Sequence, residues 1–159
     1  MKNTEIERKY LVLNEEFKKD AFKKERIIQG FLSSVPERTV RVRLIADKGF
    51  LTVKGIGNQS GTTRFEWERE ISVNNAKELF KICEQGTIDK TRYNVKSNKH
   101  IFEVDEFLGA NEGLVIAEIE LQNENDIFGR PEWLENEVTG HLKYYNSLLS
   151  KKPYKSWKK

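Results

Sequence analysis

Charged residues recur two positions apart along this chain, mostly in pairs of one sign. Glu5 and Glu7, Arg41 and Arg43, Glu66 and Glu68, Lys90 and Arg92, Glu103 and Asp105, and Glu118 and Glu120 are all spaced i, i+2, with Lys9 and Lys54 continuing the pattern. In an extended segment, residues two apart share a face. Paired arginines and lysines offer several donors to a polyanion, and the forked guanidinium matches phosphate oxygens. Paired carboxylates suit a hard divalent cation, Mg²⁺ or Mn²⁺, which bridges to those same oxygens. Binding of a phosphate-bearing polyanion together with a bridging metal ion is the chemistry such faces could support.

The elements that must carry these pairs are strands. Alternation predicts strands near 4–12, 27–33, 38–46, 49–55, 63–72, 87–97, 100–106 and 114–122. Opposite the charges lie apolar partners, such as Val40, Val42 and Leu44 in "RTVRVRL" and Ala117, Ile119 and Leu121 in "IAEIEL". Short separations and turn signals ("ADKG", "GIGNQSG", "KSNKH", "LGANEG") favour antiparallel hairpins. "GIGNQSG" has no strand–loop–helix context, so it reads as a flexible hairpin connection rather than a phosphate loop.

Helical patterns interrupt the strands. "NNAKELFKICEQG" (74–86) has Asn at its start and Gly86 as a stop, and "NEEFKKDAFKK" (14–24) is a weaker helix. The segment from "RPEWLENEVTG" into "HLKYYNSLLSKK" reads as helical with a break at Gly140, and the basic end "SKKPYKSWKK" as a solvated tail. The expected fold is α+β: one domain over 1–159, an eight-stranded antiparallel barrel whose closure removes exposed edges, with helices outside and a C-terminal helical segment.

Composition narrows the function classes. The 28 basic and 25 acidic residues nearly cancel to a net +3, which argues against a nucleic-acid binder. One cysteine, Cys83, excludes an internal disulfide and reads as a buried, inert thiol in the 74–86 helix. His100 and His141, the only two histidines, have no metal-site spacing. No apolar run approaches a membrane span and no signal-peptide core follows the start, so the expectation is a soluble, cytoplasmic protein.

For any single strand, a charged face is ordinarily just the solvated side of an antiparallel sheet. Across all the strands, the same-sign pairing and the excess of arginine and carboxylate point instead to a charged lining. Burying so many charges merely to pair them is a poor route to stability. A wet channel that receives a polyanion and metal ions accounts for them better.

In this setting "EIERK" (Glu5, Glu7, Lys9) matches the Glu-x-Glu-x-Lys signature of the CYTH superfamily, the triphosphate tunnel metalloenzymes. "RVR", "TVK", "FEWE", "KTR", "FEVD" and "AEIE" follow in the family's order, and "VTGHLKYYN" resembles its C-terminal segment near the tunnel. The resemblance implies phosphate ligands at Lys9, Arg41, Arg43, Lys54, Lys90 and Arg92. It implies metal-site candidates at Glu5, Glu7, Asp105, Glu118 and Glu120, with Glu66, Glu68 and Glu103 as supporting tunnel carboxylates. "IIQGFLSS" (27–34) is similar to the small bacterial tripolyphosphatase-like group rather than to class IV adenylate cyclases or thiamine triphosphatases. Phe31 stands where that group often has a tyrosine that partners a tunnel lysine, here Lys90.

The expected activity is therefore metal-dependent hydrolysis of tripolyphosphate, with ATP or thiamine triphosphate as other substrates and a homodimer left open. Lys54 is a candidate to deprotonate the attacking water, with a purely electrostatic role as the alternative, and Lys90 joins it in the catalytic pair. A cyclase acting on ATP and a non-catalytic polyphosphate or nucleotide-binding module are the rival readings.

Overall fold

The structure is a computed structural model that describes residues 3–157. Nine strands follow one another: β1 (Thr4–Val12), β2 (Ala21–Ser33), β3 (Arg38–Ile45), β4 (Lys48–Gly55), β5 (Thr63–Ile71), β6 (Ile88–Ser97), β7 (His100–Phe107), β8 (Val115–Glu120) and β9 (Leu134–Glu137). All pairings are antiparallel, in the order β5-β4-β3-β2-β6-β7-β8-β1-β9. Strand β5 also pairs with the start of β1, with Thr4 opposite Phe65 and Ile6 opposite Thr63, so eight strands close into a barrel. β9 adds a ninth, pairing with the later part of β1 through Tyr10 and Val12.

Because side chains alternate, one face of every barrel strand looks inward. The apolar set mostly looks outward and is covered piecemeal. Tyr10, Phe17, Tyr93, Phe102, Val104, Ile119 and Trp133 form one buried cluster, in which Phe17, Phe102 and Trp133 meet edge to face. Such ring pairs add roughly 0.5–1.5 kcal/mol beyond area burial. A second cluster of Phe31, Ile88, Phe107, Leu114, Ile116, Val138, Tyr144 and Leu149 lies under the C-terminal segment. Helix α2 (Val73–Phe80) lies over β3 and β4. Ser72 caps its start by accepting from the Asn75 amide, and Ala76 is fully buried.

Several sequence expectations are corrected here. The helix expected over 14–24 is a single turn, α1 (Phe17–Asp20), after which the chain enters β2 and pairs with β6 across a bulge near Lys23. The helix expected over 74–86 stops at Phe80, leaving Cys83 in the turn beyond it, where it is half-buried rather than buried. The region after Pro131 is not a helix interrupted at Gly140. It holds β9, a 3₁₀ turn at Leu142–Tyr144 and the one-turn α3 (Asn146–Leu149). The described part of the basic end, 150–157, is no solvated tail, since the Trp157 ring packs on Tyr144 and Tyr154; its last two residues lie outside the described ones. The loop at 55–62 is a hairpin connection as expected, but a held one, since Glu124 accepts from Asn58, Thr62 and Thr63. Among the described residues, no helix is long and apolar enough to cross a membrane.

Candidate functional site

The inward face of the barrel lines a cavity of about 220 Å³. Glu5, Glu7 and Lys9 of β1, Arg41 and Arg43 of β3, Lys54 of β4, Glu66 and Glu68 of β5, Lys90 and Arg92 of β6, Glu103 of β7, and Glu118 and Glu120 of β8 all line it. Asp105 sits directly behind, almost fully buried beneath Lys90 and Arg92. Alternation alone puts these groups on one side. The registers then set them beside one another: Glu7 opposite Glu120, Lys9 opposite Glu118, Lys54 opposite Glu66 and Arg92 opposite Asp105.

Pairing is uneven. Arg92 grips Asp105 with two parallel bonds, Nε to Oδ1 at 2.7 Å and Nη2 to Oδ2 at 2.8 Å, and reaches Glu103 through Nη1 at 3.0 Å. Lys90 adds a contact to Asp105 at 2.8 Å. The Lys54 ammonium donates to both oxygens of Glu5, at 2.9 and 3.0 Å, and lies 3.3 Å from Glu66. On β3, Arg43 donates to Glu68 at 2.9 Å and Arg41 to Thr52 at 3.2 Å, while the buried Nε atoms of both arginines have no partner. Glu120 has neither an ion pair nor a hydrogen bond among the described residues.

Electrostatics sharpen the pattern. Burial, reinforced by the Glu118 and Glu5 charges, pushes the Glu7 carboxyl up to about 8. Burial likewise opposes ionisation of Glu118, but the Lys9, Arg92 and Lys90 cations hold it low. Glu7 and Glu118 are therefore a carboxylate pair sharing one proton at neutral pH. Glu66 is raised to about 7 by burial and by its hydrogen bond with Glu5. Burial also raises Glu120, helped by Glu5 and Glu103. On the basic side, burial and the neighbouring Arg43 push Arg41 down, and burial lowers Lys90 to about 8 against the pull of Asp105. The cavity holds crowded carboxylates at one place and crowded cations at another.

No group of three or more His, Cys, Asp or Glu is already drawn into a metal-holding cluster among the described residues. The donor set nevertheless fits a hard cation: Glu5, Glu7, Glu118 and Glu120 line one cavity from adjacent strands, and a shared proton marks where positive charge is lacking. Asp105, the fifth metal candidate from the sequence, has its oxygens engaged by Arg92 and Lys90.

Some lining residues were not singled out from the sequence. Arg64 points inward in phase with Glu66 and Glu68, so alternation could have found it; its Nε lies 3.3 Å from Glu5. Thr39 precedes Arg41 in the same phase. Asn146, at the end of the "VTGHLKYYN" segment that resembles the family's near the tunnel, does line the cavity, with Tyr145 and Ser147 beside it, and Lys9 and Arg64 stand 4.6 and 5.4 Å from the centre of the Tyr145 ring. Lys143, which the sequence places near the tunnel, instead lies over the Tyr144 and Trp157 rings. A second cavity shares Glu103 and Glu120 with the first and is also lined by Lys99, His100 and Asp126.

Known proteins match this architecture along its length. The CYTH domain matches residues 3–153. A protein of Acetivibrio thermocellus named inorganic triphosphatase is 47% identical over 155 residues, covering 97% of each chain. One of Nitrosomonas europaea with the same name is 32% identical over 151 residues, covering 92% of this chain and 97% of that one. The crystal structure of the inorganic triphosphatase NE1496 superposes with a TM-score of 0.64 at 30% identity, covering 92% of this chain and 93% of that one. With a closed charged barrel, the ordered lining motifs and these matches in hand, the chain belongs to the CYTH domain family.

Proposed function

We propose that this protein hydrolyses a phosphoanhydride of a triphosphate bound in the barrel, with inorganic tripolyphosphate as its preferred substrate and Mg²⁺ or Mn²⁺ as its metal. One observation carries the reading: a single cavity is lined both by the guanidinium groups of Arg41 and Arg43, each with one side-chain hydrogen bond, and by Glu7, Glu118 and Glu120 on adjacent strands. Among the described residues neither group is fully partnered; a polyanion suits the first and a divalent cation the second. The names of the Acetivibrio and Nitrosomonas relatives support the choice of substrate.

In this reading Arg41, Arg43, Lys9 and Arg64 bind phosphate oxygens, while Lys90 and Arg92, backed by Asp105, fix the register of the chain of phosphates. Glu7, Glu118 and Glu120, with Glu5 beside them, would hold the metal. When bound, that ion offsets charge developing on the transferred phosphoryl group and makes a coordinated water more acidic. Lys54 donates to both oxygens of Glu5, a geometry that suits the electrostatic role better than that of general base. Glu66 retains a proton near neutrality and lies beside Lys54, so it can exchange one at the cavity wall. The barrel holds all these groups on paired strands, so little reorganisation is needed during reaction.

The test is phosphate release by metal-stripped protein with Mg²⁺ or Mn²⁺ restored, on tripolyphosphate, ATP, thiamine triphosphate and pyrophosphate. Chelator-sensitive cleavage fastest on tripolyphosphate supports the proposal. Cyclic AMP from ATP, or tight binding of tripolyphosphate with no turnover, refutes it.

A further inference from the structure

Lys90 is 1% exposed, and its ammonium has two oxygen partners: Asp105 Oδ2 at 2.8 Å and Asn146 Oδ1 at 2.9 Å. An ammonium has three donors, so a third is left for the cavity that Lys90 lines. The same Asn146 oxygen accepts from Nε2 of Gln29, a fully buried residue of β2, at 3.0 Å. Lys90 can only donate, so the Asn146 atom that it meets is the oxygen, and Gln29 donates to that same atom. Asn146 also lines the cavity, yet it comes from the C-terminal segment outside the barrel.

That segment has other anchors. Leu149 is fully buried, Tyr144 packs on Trp157, and Lys151 pairs with Glu84 at 2.5 Å. Besides its bond to Gln29, the Asn146 amide is directed at the most buried amine of the lining. We propose that Asn146 is a positioning residue that fixes the Lys90 ammonium between itself and Asp105, with one N–H turned toward the bound phosphate chain. Phe31 is buried and lines the same cavity, but it has no hydroxyl to offer an amine. The inference rests on the cavity being a triphosphate site.

A double-mutant cycle tests it, using phosphate release from tripolyphosphate. Asn146→Ala should lower kcat/KM about tenfold in the wild-type background, as expected for a hydrogen bond to a charged group, and less than about twofold in a Lys90→Gln background. Lys151→Ala, which loosens the same segment without touching Lys90, should stay within about twofold of wild type. An Asn146→Ala enzyme as active as wild type, or one with the same tenfold loss in both backgrounds, overturns the assignment. Should Asn146→Ala melt below the assay temperature, Asn146→Ser, too short to reach Lys90, replaces it with the same expectation. A wild-type protein that cleaves nothing refutes the hydrolytic reading alone, and the cycle is then read on tripolyphosphate affinity by calorimetry. Absence of binding as well would sink both.

Discussion

Two walls of the barrel carry the same residue types in the same alternation and use them differently. On β6 and β7, Arg92 commits Nε and both Nη atoms to Asp105 and Glu103, and Lys90 closes over the same aspartate. On β3, Arg41 and Arg43 each make one side-chain hydrogen bond and keep a buried Nε without a partner. The first wall is committed within the protein, apart from one Lys90 N–H, and serves as a scaffold. The second is less committed and has more to offer a ligand that enters. A count of arginines would not separate them; the count of uncommitted donors does.

The acidic side shows the same contrast. Glu5 is clasped by Lys54 and Arg64, whereas the Glu120 side chain has no ion pair or hydrogen bond among the described residues. Replacing the uncommitted Glu120 by Gln should therefore cost metal-dependent turnover about a thousandfold, with a melting temperature near wild type, since one charge goes with little change in shape. Normal phosphate release from Glu120→Gln would remove it from the metal site.

Arginine substitutions divide next. Arg92→Ala leaves the buried Asp105 with Lys90 alone and should cost about 3–5 kcal/mol of stability, read by denaturant unfolding. Arg43→Ala should cost under about 1 kcal/mol, because Glu68 is a third exposed, but raise KM for tripolyphosphate at least about tenfold. Equal stability losses in the two variants would erase the distinction between the walls.

A smaller effect is expected from pH. Glu7 and Glu66 hold protons in the folded protein up to about 8 and 7, well above the ordinary carboxylate value of 4.5. Between pH 4.5 and 8 the folded state thus binds more protons at these two groups than the unfolded state does, and metal-free stability falls as pH rises. Thermal melts in chelator across that window should show the decline, and divalent cation should reverse it. The smallest expected change is Phe31→Tyr: with Asn146 already on Lys90, kcat/KM on tripolyphosphate should move by less than about threefold.

The barrel was legible in the sequence because a closed antiparallel sheet repeats one rule. Phase along "RTVRVRL" or "AEIE" assigns each side chain to the lining or the shell, and the registers in the fold agree with it. Arg64 lay within reach of that rule, two residues before Glu66. What escaped had no period to read. β9 is four residues long and held by main-chain bonds to β1, so "WLENEV" shows no alternation to oppose its helical look. α1 lasts one turn because the Lys- and Glu-rich stretch after it is drawn into pairing with β6. The resemblance of "VTGHLKYYN" brought the segment of Asn146 near the tunnel but gave that residue no role, because its placement in a run of 3₁₀ and single-turn helix depends on tertiary packing of Tyr144 and Leu149.

The most direct measurement is phosphate release from tripolyphosphate by protein stripped of metal and then given Mg²⁺ or Mn²⁺. The account predicts no release in chelator, fast release once either ion returns, and slower release from ATP. Equal release with and without metal, or none with either ion, would contradict it.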